Sequence, residues 1–317
     1  MSFQSQSPLT KSNPLMTPNN VMMTLPNGPH LSIIIASYNS RNTIERCLES
    51  LRNQNTRGTF ETIVVDTSTD GTAAIVKRRF PEVRLYNFSK RKFCGDARNW
   101  GISVAKGKII AFIDADCVAD STWVDEILKA HQSMVLAVGG AIANGEPSNL
   151  VSWASYFCEF SQWMPTTPAN WFTDIAAANM SYKREIFDRY GVFIEGTYCS
   201  DTDLHWRLGR ESYRLQFVPS ILVSHNSIDR LDCFLKHEFF HGRCFARVRI
   251  QGQGFSRWKR LLYVTCSPLI PLRLFAKIAL NNMRNKIYFL QFLKSSPLVA
   301  LGIICWSLGE SVGYAGG

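Results

Sequence analysis

Lys108-Ile109-Ile110-Ala111-Phe112-Ile113-Asp114-Ala115-Asp116 is the stretch on which the fold turns. After Lys108 come five apolar residues, three of them β-branched, the pattern of a strand buried on both faces of a parallel sheet. Two carboxylates one residue apart then stand at its carboxyl end. The same signal recurs upstream. Leu31–Ala36 is an apolar run broken by Ser37-Tyr38-Asn39-Ser40, Glu61–Asp66 runs into a turn over 67–71, and Val83–Tyr86 reads as a third strand. Between these runs the apolar spacing turns helical. Ile44, Cys47, Leu48 and Leu51 share one face of a segment beginning near Asn42, and helices are expected over 72–80 and 96–105, the latter stopped by Gly107. Strand–helix alternation implies a mostly parallel sheet flanked by helices, and such sheets bind ligands outside the carboxyl ends of their strands. Ser37, Asn39, Asp66, Asp114 and Asp116 are therefore expected around one crevice.

Downstream the pattern is less regular. Val135–Ala141 reads as a strand and Asp201–Arg210 as a helix, while Phe217–Pro219 and Ile221–Val223 read as short strands leading to His225. A length of 317 residues allows one α/β domain of about 200 to 250 residues plus an appendage. The expected division is a disordered polar leader over 1–30 without a signal peptide, an α/β domain over 31–230, and a basic, apolar helical region over 231–317.

The net charge of +10 is concentrated in that last region. Between Arg230 and Lys294 stand thirteen Lys or Arg against Asp232 and Glu238, a balance of +11. Nucleic acid would also attract such charge, but apolar runs at 261–280 and 296–314 favour an anionic membrane surface and exclude nucleic acid as the expected partner. Both runs are interrupted by prolines or charges, so helices lying on the membrane are expected ahead of spans, a re-entrant pair or a buried helical subdomain. Nine cysteines occur singly with no C-x-x-C pair, which fits reduced thiols on the cytoplasmic side and gives no zinc ribbon.

Three sets of residues carry chemistry. Asp114 and Asp116 can hold Mg²⁺ or Mn²⁺ through oxygen and leave positions for phosphate, although in isolation such a triplet is commonly a solvated turn. Asp201 stands where a helix begins. That suits an N-cap, and it also suits a rigidly held general base. His225 can add a neutral imidazole to a cation already held by an aspartate, or can be a hydrogen-bonded core residue. Arg98, in the first turns of its helix, can approach a pyrophosphate or sit as a surface charge.

Six segments, S-I-I-I-A-S-Y-N at 32–39, V-V-D-T-S-T-D-G-T at 64–72, G-D-A-R-N-W-G at 95–101, A-F-I-D-A-D-C at 111–117, N-M-S-Y-K-R-E at 179–185 and D-T-D-L-H-W-R at 201–207, together resemble the family 2 glycosyltransferases of the GT-A fold. The resemblance covers about residues 31–230. It implies an inverting, metal-dependent transfer of a sugar from a nucleotide diphosphate, usually UDP, to a glycan or lipid-linked hydroxyl. By that resemblance Ser37 and Asn39 lie in the nucleotide loop, Asp66 contacts the base, Arg98 lies near the nucleotide, and Asp114 lies near the ribose. Asp116 binds metal with His225 as a further ligand, Asn179 lies near the donor sugar and acceptor, and Asp201 is the general base. Ala36 departs from the usual proline, and Ser200 replaces the glutamate that usually precedes the base. Gln253, Arg257 and Trp258 resemble a processive-synthase signature with one residue too many between them. A dehydrogenase would need G-x-G-x-x-G after the first strand, and a nucleotidyltransferase a Gly-rich basic loop there; neither is present. A non-catalytic sugar-nucleotide binder or membrane scaffold of the same fold stays as the alternative.

Overall fold

A computed structural model describes residues 28–145, 147 and 149–316, so the expected leader falls almost wholly outside the described residues. The chain begins with β1 (Leu31–Ser37), α1 (Ile44–Arg52), β2 (Phe60–Asp66), α2 (Thr72–Arg79), β3 (Arg84–Asn87), α3 (Cys94–Val104) and β4 (Ile109–Ile113). Then follow β5 (Cys117–Ala119), α4 (Trp123–Ala130), β6 (Ala137–Asn144), α5 (Leu150–Phe160), β7 (Asn170–Phe172), β8 (Asn179–Lys183), α6 (Glu185–Tyr190), α7 (Ser200–Arg210) and β9 (Leu215–His225). The last elements are α8 (Leu231–Gln253), α9 (Arg257–Thr265), a 3₁₀ turn (Ser267–Leu269), α10 (Ile270–Asn285) and α11 (Phe289–Ala315).

Among the described residues the strands form one sheet ordered β3-β2-β1-β4-β8-β6-β9-β5, with β7 added on β9. The β3-β2-β1-β4 half is parallel, as the alternation predicts. The other half is mixed. β8 runs antiparallel to both β4 and β6, whereas β6 and β9 are parallel. The β8 sequence Asn-Met-Ser-Tyr-Lys has no apolar run and gives no strand signal, yet four of its five residues are buried. The two short strands expected around Pro219 are one strand, β9. Its register against β6 shifts between Gly140 and Ala141, so that Val218 pairs Gly140 while Leu222 pairs Ala141. A proline cannot donate to the ladder, and this irregularity takes it out of the pairing. Gly140 is required there because a Cβ would stand 1.9 Å from the Ile221 carbonyl oxygen.

Ile33, Ile34, Ile35, Ile63, Val64, Val65, Ile110, Phe112 and Ile113 are buried between helical layers, and α1 buries the four residues its spacing singles out. The same core continues beyond position 230 through Phe234, Ile278, Phe292, Val299 and Ile303. The tail therefore shares its interior with the sheet domain.

Helix α11 begins at 289, seven residues earlier than the apolar run at 296–314 suggests, and it lies along α8 with backbones in contact. A Cβ on Gly242 would stand 2.0 Å from the Trp306 oxygen, and one on Gly309 1.9 Å from the Phe239 oxygen. Glu310, buried in this seam, accepts a bond from the Tyr314 hydroxyl at 2.8 Å and lies 3.8 Å from Arg249. The opposite face presents Leu290, Leu293, Leu301, Ile304, Leu308 and Val312 to the outside. By length and composition α11 could cross a membrane, and α9 with α10 forms a pair bent by 47°.

Candidate functional site

The carboxyl ends of β2, β1 and β4 lie side by side, with Ser37 paired to Asp66 across β1 and β2. Asn39 sits at φ 52°, a left-handed conformation that asparagine tolerates better than most residues. Its backbone N–H donates to Ser68 Oγ at 2.7 Å, and its side-chain oxygen accepts from the Thr69 N–H at 3.1 Å. Asp66 is buried and held by neutral donors, Ser68 Oγ at 2.5 Å and Asn87 Nδ2 at 2.9 Å. The two loops are thus tied together before any ligand arrives. Among the described residues the buried hydroxyls of Ser37 and Thr67 have no partner, and such groups are rare unless something else bonds them.

Beside these loops is a small open cavity of about 90 Å³ lined by Ser37, Tyr38, Arg91, Phe93, Cys94 and Tyr198 among others. The Arg91 guanidinium lies 4.3 Å from the centroid of the Tyr38 ring. Neither residue was singled out by sequence reasoning. The available signal was the run Lys90-Arg91-Lys92 immediately before α3, since cations beside a helix N-terminus gather anions.

Arg98 is buried, and its Nη2 bonds Asp114 Oδ1 at 2.7 Å. Burial disfavours its charge, but Asp114, Cys94 and Asp201 together outweigh that and hold it firmly protonated. Asp201 lies in the first turn of α7, just after Cys199 at φ 59°, and its Oδ2 accepts the Ala177 N–H at 3.1 Å. Burial pushes its pKa up, while Arg98, His205 and the Ala177 amide pull harder and leave it below the usual carboxylate value. Arg98 therefore stands between two acids and keeps both near one point.

Asp116 and His225 meet because β5 pairs with β9, which sets Cys117 opposite His225. His225 Nε2 is 3.5 Å from Asp116 Oδ1, and among the described residues that buried oxygen has no hydrogen-bond donor. Burial pushes the Asp116 pKa up and Asp114 adds to the rise, with His225 opposing. A divalent cation would relieve all three conditions, so this oxygen–nitrogen pair fits Mg²⁺ or Mn²⁺. Cys117 lies in the same cluster, its ligand atoms within 4.8 Å of the others. Burial keeps its thiol protonated, and a soft thiol is a poor match for such a cation, so it belongs to the core. His225 is oriented by Ser227 Oγ at 3.3 Å from Nδ1 and by the Phe160 ring at 4.7 Å.

Asn179 does not turn toward the cleft. Its buried amide donates to the Ala141 and Ile221 oxygens at 2.9 and 2.8 Å, and its oxygen accepts from Trp123 Nε1 at 2.8 Å. These bonds brace β8, β6, β9 and α4 beneath the site, so contact with the donor sugar is not what the side chain makes here. Another wall comes from the tail. On α8, His237 lies 3.5 Å from Glu159 of α5, its ring 5.6 Å from that of His241 and 6.3 Å from Tyr198. Sequence reasoning missed these residues because they lie beyond the last motif.

Residues 32–191, half of the chain, match the profile of "Glycosyl transferase family 2". Glycosyltransferase AglE of Haloferax volcanii is 25% identical over 205 residues, 62% of this chain and 67% of that protein. UDP-Glc:alpha-D-GlcNAc-diphosphoundecaprenol beta-1,3-glucosyltransferase WfaP of Escherichia coli is 37% identical over 89 residues, 27% of this chain and 35% of that protein. The fold is similar to that of mannosyltransferase PcManGT from Pyrobaculum calidifontis, solved in complex with GDP-Man and Mn²⁺, with a TM-score of 0.62 at 17% identity over 91% of this chain and 87% of that one.

Proposed function

The chain belongs to glycosyl transferase family 2, and from that premise we propose that it is an inverting glycosyltransferase. It would move a sugar from a nucleotide diphosphate, UDP ahead of others, to a glycan or lipid-linked hydroxyl on the cytoplasmic side of a membrane. The observation that carries this reading is the meeting of Asp201, Arg98 and Asp114 with the Asp116–His225 pair at one edge of the sheet.

Asp66 and the Ser37–Asn39 loop would hold the base and ribose, with Tyr38 and Arg91 closing over them. Asp116 and His225 would hold Mn²⁺ or Mg²⁺, which when bound offsets charge growing on the leaving diphosphate. Arg98 keeps Asp114 fixed and Asp201 ionised. Asp201, held in place by the Ala177 N–H, would take the acceptor proton as the hydroxyl attacks the anomeric carbon. A non-catalytic sugar-nucleotide binder would have no need of a half-buried carboxylate at this place kept ionised.

The tail supports a membrane surface as partner. Trp258 and Leu272 are 81% and 70% exposed, and Leu261, Leu262, Leu269, Met283 and Leu290 continue the apolar face. Arg257, Lys259, Arg273 and Arg284 lie on the same helices and Lys286 caps the second, each worth about 1 kcal/mol near an anionic leaflet. A lipid-linked acceptor would be delivered there, and the lipid-linked substrate named for WfaP is consistent with this. The test is a screen of nucleotide sugars for metal-dependent hydrolysis and transfer, with and without membranes. Metal-dependent release of nucleotide from at least one sugar is expected, and binding without release would favour the non-catalytic alternative.

A further inference from the structure

Behind Asp201 runs a polar chain that neither nucleotide binding nor cation binding uses. His205 stands one turn further along α7, is buried, and reaches two partners. Its Nδ1 is 2.5 Å from Asp174 Oδ1 and its Nε2 is 2.7 Å from the Tyr182 hydroxyl. The other Asp174 oxygen accepts from Thr202 Oγ1 at 3.2 Å. Asp174 belongs to the segment between β7 and β8, and that same segment supplies the Ala177 N–H bonded to Asp201. A carboxylate can only accept, so Nδ1 carries a proton toward Asp174, and the Tyr182 hydroxyl completes the ring's bonding at Nε2. His205 and Thr202 therefore pin the segment to α7 at one point, while Ala177 meets Asp201 three residues later.

We propose that Asp174, His205 and Thr202 form a latch that fixes the 173–178 segment against α7 and so sets the orientation of the Asp201 carboxylate. These are positioning residues, and their role rests on the reading of Asp201 as the base. Without the latch, the bond from the Ala177 N–H to Asp201 is left to hold the segment near the carboxylate, and the carboxylate loses its aim at the acceptor. A base misplaced by about 1 Å can lower turnover by about 10²-fold.

The test compares Asp174→Ala, His205→Ala, Asp174→Asn and Asp201→Asn with the wild type in Mn²⁺-dependent hydrolysis of the UDP-sugar that the screen identifies. The two alanine variants should lose about 10- to 100-fold in kcat, with KM for the donor and calorimetric UDP affinity unchanged. Asp174→Asn retains an acceptor for Nδ1 and should recover most of the rate. If Asp201→Asn turns over like the wild type, the base reading fails. If Asp201→Asn is inactive while both alanine variants keep the wild-type kcat, the latch fails alone. Where a variant does not fold, or no sugar turns over, ¹⁵N spectra of the wild-type imidazoles decide: His205 should show a protonated Nδ1 bonded to Asp174, and a bare Nδ1 overturns the proposal.

Discussion

At the carboxyl edge of the sheet, Asp66, Asn39 and Arg98 are each held by named partners at hydrogen-bond distance, and among the described residues the hydroxyls of Ser37 and Thr67 and one Asp116 oxygen are buried without one. Along α9, α10 and the outer face of α11 the reverse holds: Trp258, Leu262, Leu272 and Leu290 stand exposed among the described residues. Both regions expose what a folded chain usually hides. The edge leaves polar groups without partners, which suits directional binding of a charged ligand. The tail leaves apolar area uncovered, which suits a non-directional surface such as lipid. Chemistry and placement are thus carried by different parts of one continuous core.

That division can be broken at either end. Asp201→Asn should abolish turnover by about 10²- to 10⁴-fold while UDP affinity holds, as removal of a positioned base does; retained turnover would refute its role. At the other end, Trp258→Glu with Leu272→Glu should weaken co-sedimentation with phosphatidylglycerol vesicles by about tenfold or more, each side chain having about 1.5 to 3 kcal/mol of burial to lose. Hydrolysis of a soluble donor should be untouched by that change, and unaltered vesicle binding would refute the docking face.

Between the two regions, Gly309→Ala forces a methyl group against the Phe239 carbonyl and should cost about 1 to 3 kcal/mol, visible as a lower melting temperature. Arg98→Gln removes the cation that contributes most to holding Asp201 ionised. Because the Asp201 pKa is depressed in the folded protein, wild-type turnover should persist as pH falls and be lost only below the usual carboxylate range. In the variant that acid limb should move to higher pH, as read from a kcat profile. The smallest effect is expected from Asn149→Ala. The Asn149 side chain caps α5 by accepting from the Val151 and Ser152 N–H groups, and its loss should cost about 1 kcal/mol in a thermal melt.

The parallel half of the sheet was legible because its strands are buried on both faces, so Ile33–Ile35 and Ile110–Ile113 read as unbroken apolar runs with polar residues at their ends. The mixed half was not. Asn179–Lys183 is a buried strand made largely of polar residues whose groups bond to neighbouring strands, and no periodicity marks it. The same physics hid the part Asn179 plays. A motif can place a residue at a sheet edge, but only the fold shows that its amide already bonds Ala141, Ile221 and Trp123. Tyr38, Arg91, Asp174 and His205 escaped because their meaning lies in pairings between residues 31 and 53 positions apart. In the tail, the charge and apolar content were plain, whereas the glycine seam that joins α11 to α8 depends on a partner helix that the pattern of one helix cannot reveal.

The most direct test of the central claim is isothermal calorimetry of UDP binding with and without Mn²⁺ in the wild type and in Asp116→Ala. The expected result is Mn²⁺-dependent binding in the wild type that falls to its metal-free level in the variant, with the fold intact by circular dichroism. Equal Mn²⁺-dependent affinity in the two proteins would contradict the placement of the cation at Asp116 and His225.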